Sequence, residues 1–313
     1  MSILRLKQFS LSSTKGFTIV ELMVASTIGL LIIGLSLGSV LSNREAYQFD
    51  LVRTQLNQNL RSSLDLIGMN VREAGESLPE NFPVIELTDG AVGGADTLAL
   101  RRNLLNEEEV GRVCQTLAAG TTTNTIYIAT NGATTSGCIY SDTTQIFSKF
   151  QTKRLAEDAD QMRAYIFDSS SGAGEWFTYT GDNDNSTEYT LTTDGGTWAN
   201  TYAFDAAVGP TSFVYLLEEW QFQLLDNATT PDILQVVENS DTANPMNVIW
   251  GIENFQVRVH LRDGTILDTF GFANEWVNIK AVEITLSGES TYRERVLDNS
   301  LTARFFPRNV LSK

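Results

Sequence analysis

Apolar residues are distributed along this protein in three different ways. From Leu22 to Leu41, twenty consecutive residues carry no charge. At 1.5 Å per residue such a helix is ~30 Å long, the thickness of a bilayer core. Downstream, Phe49, Val52, Leu56, Leu60, Leu64, Ile67 and Val71 recur at three- and four-residue spacing, the pattern of a helix with one buried face. Arg53, Asn57, Arg61 and Arg72 populate the rest, and Gly75 and Pro79 end the pattern. The two stretches read as one helix of about fifty-five to sixty residues.

From about residue 80 the period shortens to two. Candidate strands are 96–102, 125–130, 163–168, 175–180 and 188–193, then 212–225 as two strands or one bent strand, 232–238, 252–262, 277–289 and 295–307. Within "FQVRVHL", Phe255, Val257, Val259 and Leu261 alternate with Gln256, Arg258 and His260, which places His260 on the solvent-facing side. The third texture is polar and rich in Gly, Ser and Thr, at 118–125, 131–137 and 169–174, and reads as loops. The region 103–212 is read as an elaboration of a single head.

Composition narrows the function classes. The 313 residues suffice for one large domain or two small ones, and net charge is −16 with no basic block beyond the first fifteen residues. That argues against nucleic-acid binding, which needs a clustered basic footprint. With two cysteines, Cys114 and Cys138, and one histidine, a zinc site is not expected. A Cys114–Cys138 disulfide would be worth roughly 3 kcal/mol and needs an oxidising compartment; two free buried cysteines are the alternative.

The N-terminus carries its own topology signal. Residues 1–16 contain Arg5, Lys7 and Lys15 and no acid, so this end should stay cytoplasmic and everything after Leu41 should cross. Glu21 stands just inside the apolar segment, where an ionised carboxylate costs at least ~2.5–3.5 kcal/mol. The processing junction Gly16-Phe17 precedes the apolar region, the reverse of an ordinary secretory signal, so cleavage would leave the anchor in place.

"KGFTIVELMVASTIGLLIIGLSL" closely resembles the class III signal of type IV prepilins and type II secretion pseudopilins. The family pattern of basic leader, Gly, methylated Phe, Glu four residues later and apolar helix is met by Lys15, Gly16, Phe17 and Glu21. The resemblance implies that prepilin peptidase cuts after Gly16 and methylates the new amine of Phe17. It also implies that Glu21 is an assembly contact, pairing with the Phe17 amine of its own or a neighbouring subunit. A nearby cation lowers the cost of a carboxylate in hydrocarbon. A Glu21 that snorkels or is protonated is the bland alternative. Gly38 falls where major pilins tend to carry a proline, a departure that favours a minor subunit.

A second resemblance lies in "VREAG" (71–75) and in "VIWGIENFQVRVHL…EWVNIKAVEITLSGES…LTARFFPRNVLSK", which look like the corresponding parts of PilW-type minor pilins. The J-type pseudopilin of type II secretion is the related alternative. These resemblances imply an α+β, pilin-like protein: a cleaved leader over 1–16, a transmembrane and filament-core helix over 17–41, the periplasmic half of the helix over 42–78, and a β-rich head over 79–313. They imply a single-pass inner-membrane protein, head in the periplasm, that passes into an extracellular pilus. The implied role is priming of pilus assembly in a tip complex, with prepilin peptidase, other minor pilins, the major pilin and a large tip adhesin as partners.

No catalytic constellation accompanies these signals. An enzyme would need a nucleophile with a base, paired acids or a metal set, and no G-x-S-x-G, phosphate loop or H-E-x-x-H occurs. No cofactor is expected. "GDNDNS" (181–186) offers Asp182, Asn183, Asp184 and Asn185 as oxygen donors, but Thr187 and Thr193 stand where an EF-hand needs Gly and Glu, so a solvated turn is the default. "NEEEV" (106–110) reads as a solvated charge run, and Glu218 and Glu219 point to opposite faces without an obvious pair. A membrane-anchored periplasmic enzyme or binding protein remains the alternative from another class.

Overall fold

The computed structural model describes residues 16–91, 93–226, 232–293 and 295–312. Residues 1–15, all but the last residue of the leader expected over 1–16 and including Lys15, lie outside the described residues. Internal contacts divide the protein into residues up to Thr54 and residues from Gln55 onward.

One helix, α1 (Ile19–Glu73), runs for 55 residues. Its stretch from Leu22 to Leu41 carries no charge and presents apolar side chains on all sides: Leu22, Leu31 and Leu35 are all largely exposed. By length and composition it is able to cross a membrane. One apolar helix of this kind at the N-terminus suggests a single membrane anchor or signal.

From Gln55 the same helix becomes one-sided. Leu56, Leu60, Leu64, Ile67 and Val71, the face expected from their spacing, are buried against the sheets of the second unit. Gly68 lets the helix approach the strands closely, since a Cβ there would run into the Phe305 ring. The helix ends at a left-handed Gly75 (φ 82°) whose N–H donates to the Arg101 carbonyl.

The second unit holds antiparallel sheets. The first has the order β1 (Ile85–Thr88), β2 (Thr97–Asn103), β11 (Leu217–Leu225), β12 (Ile233–Glu238), β13 (Met246–Trp250). The second has the order β3 (Gly111–Arg112), β10 (Ser212–Tyr215), β5 (Met162–Asp168), β6 (Gly174–Asp184), β7 (Tyr189–Thr193), β4 (Thr125–Ala129). The third has the order β15 (Ile266–Leu267), β14 (Ile252–Leu261), β16 (Ile279–Tyr292), β17 (Arg295–Phe305), and β8 (Phe204–Asp205) pairs with β9 (Gly209–Pro210). The protein is therefore α+β, a long N-terminal apolar helix packed on antiparallel sheets, which is a pilin-like architecture.

Two hydrophobic cores result. The first joins the buried face of α1 to the first and third sheets through Phe222, Phe255, Val282 and Trp276. The second lies between the second sheet and a helix that the apolar pattern did not predict, α2 (Tyr140–Arg154), through Phe147, Phe150, Tyr179 and Leu191. β2 and β11 are neighbours, with Asn103 opposite Leu217, so residues 104–216 leave and re-enter the first sheet at one point.

The expected strands are present with small changes of boundary. The 212–225 stretch divides at Leu216 into β10 and β11, which belong to different sheets. β1 and β13, and the two-residue strands β3, β8, β9 and β15, lie outside the expected ranges. The largest correction concerns 181–186: the strand β6 continues through Asp184, and the turn occupies only the residues after it.

Candidate assembly site at the helix N-terminus

Gly16, Phe17 and Thr18 precede the helix without regular structure, and Gly16 and Phe17 are exposed. A Cβ on Gly16 would meet nothing within 4 Å. The first N–H groups of any α-helix lack intrahelical partners. Here Thr18 and Glu21 supply them reciprocally. The Glu21 N–H donates to Thr18 Oγ1 at 3.3 Å, and Glu21 Oε2 accepts from the Thr18 N–H and hydroxyl, both at 3.0 Å.

This is a capping box, Thr-x-x-Glu. Thr18 was not among the expected site residues, although "TIVE" carries the signal. Both box residues lie downstream of Gly16-Phe17, so removal of the leader would leave the cap intact. Glu21 is thereby fixed at the start of the helix, with its Oε2 on the Thr18 N–H. That is where a carboxylate is also favoured by the helix dipole.

Several buried and half-buried charges of the second unit pair with one another. Glu218 and Glu219 do point to opposite faces, and each faces an arginine of β2: Glu218 stands opposite Arg102 and Glu219 opposite Arg101. Arg101 is buried, with Nε 2.5 Å from Glu219, Nη2 2.7 Å from Glu86 and Nη1 donating to the Pro83 carbonyl at 2.8 Å. Burial opposes its charge, but Glu219 and Glu86 outweigh that and raise its pKa above the ordinary guanidinium value. Arg102 lies 2.7 Å from Glu218 and also pairs with Glu73, the last residue of α1.

Other candidate residues are placed as follows. The Asp182 side chain is buried under Arg154 of α2, which contacts it through Nη2 at 2.7 Å and Nε at 2.9 Å; Gln151 and the Tyr179 hydroxyl also donate to it. A carboxylate bound by a guanidinium in this way is not a solvated turn residue, nor is it free to ligate calcium. In the 106–110 run Glu109 pairs with Lys149, while Glu107 and Glu108 are exposed. His260 faces outward from β14 as its parity predicts, but is half-buried with Nε2 3.4 Å from Glu283, which Arg304 also contacts at 2.6 Å. Among the described residues no group of three or more His, Cys, Asp or Glu could hold a metal ion.

Cys114 and Cys138 are bonded to one another, with Cα atoms 5.6 Å apart. Both are buried, and the bond ties the end of β3 to the segment leading into α2. Such a bond points to a head outside the cytoplasm. Compared with protein-family models, with curated proteins and with solved structures, the sequence and fold match none.

Proposed function

We propose that this protein is a minor pilin of a type IV pilus, of the PilW type, that primes assembly and sits in a tip complex. The pilin-like fold suggests a pilin or pseudopilin, and one observation supports the assembly role common to both. An exposed, non-helical Gly16-Phe17 junction is followed at once by the Thr18–Glu21 box and a 55-residue helix that carries no charge from Leu22 to Leu41. A peptidase needs an accessible bond outside regular structure; a filament core needs an exposed apolar helix. This segment offers both in the order required.

In this reading residues 17–41 hold the subunit in the inner membrane before assembly and lie in the filament core afterwards. Residues 42–78 carry the helix into the periplasm, and 79–313 form the head that meets other minor pilins, the major pilin and a tip adhesin. Prepilin peptidase removes 1–16 and methylates Phe17. Glu21 then docks on the Phe17 amine, and exchange of one buried charge cost for an ion pair favours the assembled state. The role is structural, without catalysis or cofactor; the head's buried Arg101, Arg154, Asp182 and Glu219 are engaged with one another.

Gene deletion with two readouts tests this. Loss of surface pili and twitching, with exoprotein secretion intact, is the expected result. Loss of secretion with pili intact would assign the protein to a type II secretion system as a J-type pseudopilin. Retention of both, or function preserved after the first forty-one residues are exchanged for an ordinary anchor, would sink the assembly reading.

A further inference from the structure

Asn131-Gly132 is the one Asn-Gly pair in the sequence, and both residues are exposed. They occupy the centre of a turn closed by the Ala133 N–H donating to the Thr130 carbonyl at 3.2 Å, so the turn's hydrogen bond does not use the Gly132 N–H. Gly132 has φ 71°, and a Cβ there would meet nothing within 4 Å. We infer that Asn131 is a site of spontaneous covalent modification, at which this turn converts from asparagine to aspartate and isoaspartate.

The chemistry needs only the two residues and water. The Gly132 amide nitrogen attacks the carboxamide carbon of Asn131 and forms a new C–N bond. The bond from that carbon to Nδ2 breaks, and Nδ2 leaves as ammonia, taking up the proton that the Gly132 nitrogen loses. The resulting five-membered imide is opened by water at either carbonyl, which gives aspartate or the β-linked isomer. No oxidation state changes. Glycine is the residue that permits the attack, because no Cβ shields its nitrogen.

The three Asn-Ser pairs provide internal controls, since each is held by hydrogen bonds. Asn185 Oδ1 accepts from the N–H groups of Thr187 and Glu188, and the Ser186 nitrogen is engaged with Asp184. Asn239 Oδ1 accepts from the Glu219 N–H at 2.8 Å, and the Asn299 amide donates to Asn57. Asn131 differs from them in successor and in restraint. Its turn is also a sensitive place for the product: the Thr130 N–H donates to the carbonyl of disulfide-bonded Cys138 at 3.1 Å, so a β-linkage would lengthen the backbone inside a stapled loop.

The test is incubation of the full-length, detergent-solubilised protein in mildly alkaline buffer, followed by peptide mapping and enzymatic methyl labelling of isoaspartate. The Asn131 peptide should convert before any Asn-Ser peptide, at a rate within about tenfold of the urea-unfolded protein, because surface turns open at little cost. Asn131→Gln should abolish the label on the peptide that carries residue 131 without altering the far-ultraviolet spectrum; the Asp-Gly pairs at 89–90, 194–195 and 263–264 can take label by the same imide and are read on their own peptides. Retention of the amide at Asn131 while the unfolded protein converts, earlier deamidation at an Asn-Ser pair, or a label that survives on the residue-131 peptide in Asn131→Gln would each overturn the inference.

Discussion

Glu21 is asked to do two things, and substitution at Thr18 separates them. Thr18→Ala removes the hydroxyl side of the capping box and should cost about 0.5–2 kcal/mol of local helix stability, but it keeps the carboxylate. Glu21→Ala removes both the cap contact and the charge. If the charge matters for docking, Glu21→Ala abolishes incorporation into filaments while Thr18→Ala lowers it only modestly. Equal losses in a quantitative pilus-shearing assay would reduce Glu21 to a cap residue.

Two head residues support similarly direct expectations. Removing Glu219 leaves Arg101 charged in a buried site, so Glu219→Ala should cost about 3–5 kcal/mol. Glu86, half-exposed on the other side of the same guanidinium, should matter much less when replaced. Asp168 responds to pH. Burial pushes its carboxyl up, but hydrogen bonds from Ser171 and Ser170 overcome this and hold it at about 2, below the reference 3.8. Its contribution, about 2 kcal/mol, is present above the unfolded value and lost as pH falls from about 4 towards 2. Urea midpoints measured down that range should fall less steeply in Asp168→Asn than in the unmodified protein.

Elements differed in how plainly they were written. The span 22–41 and the face from Leu56 to Val71 were legible because long periodic apolar runs have few alternative structures. Most strands of the head were legible for the same reason. α2 was not, because its buried positions Thr143, Phe147, Phe150 and Arg154 follow helical spacing but only two are apolar. The Arg101–Glu219 and Arg102–Glu218 pairs were invisible since they depend on the register of β2 against β11, which neither strand specifies alone. Asp182 was misread because its partner Arg154 is distant in sequence.

The close contacts of these elements yield their own tests. Gly68→Ala improves helix propensity by ~1 kcal/mol, yet its methyl would overlap the Phe305 ring, and overpacking of this kind costs about 1–3 kcal/mol. Net destabilisation by denaturant titration is expected. The Cys114–Cys138 bond closes a 24-residue separation, so a Cys114→Ser/Cys138→Ser double variant should lose about 3 kcal/mol. The loss should register first in probes of the second core, whose β3 and β4 flank the bond.

At the scale of the molecule, the position of residues 104–216 has a consequence beyond packing. Their two ends meet at paired neighbours, Asn103 and Leu217, so the first sheet is laid out as a hairpin whose loop has grown into a lobe with its own helix and core. Growth at that point changes neither the register of β2 and β11 nor the seat of α1. The lobe is not wholly detachable, because Phe82 packs on its Tyr165, Phe167 and Tyr215. Related proteins could therefore vary in size here while keeping an unchanged helix and sheet, and a shortened form would need a polar substitute for Phe82.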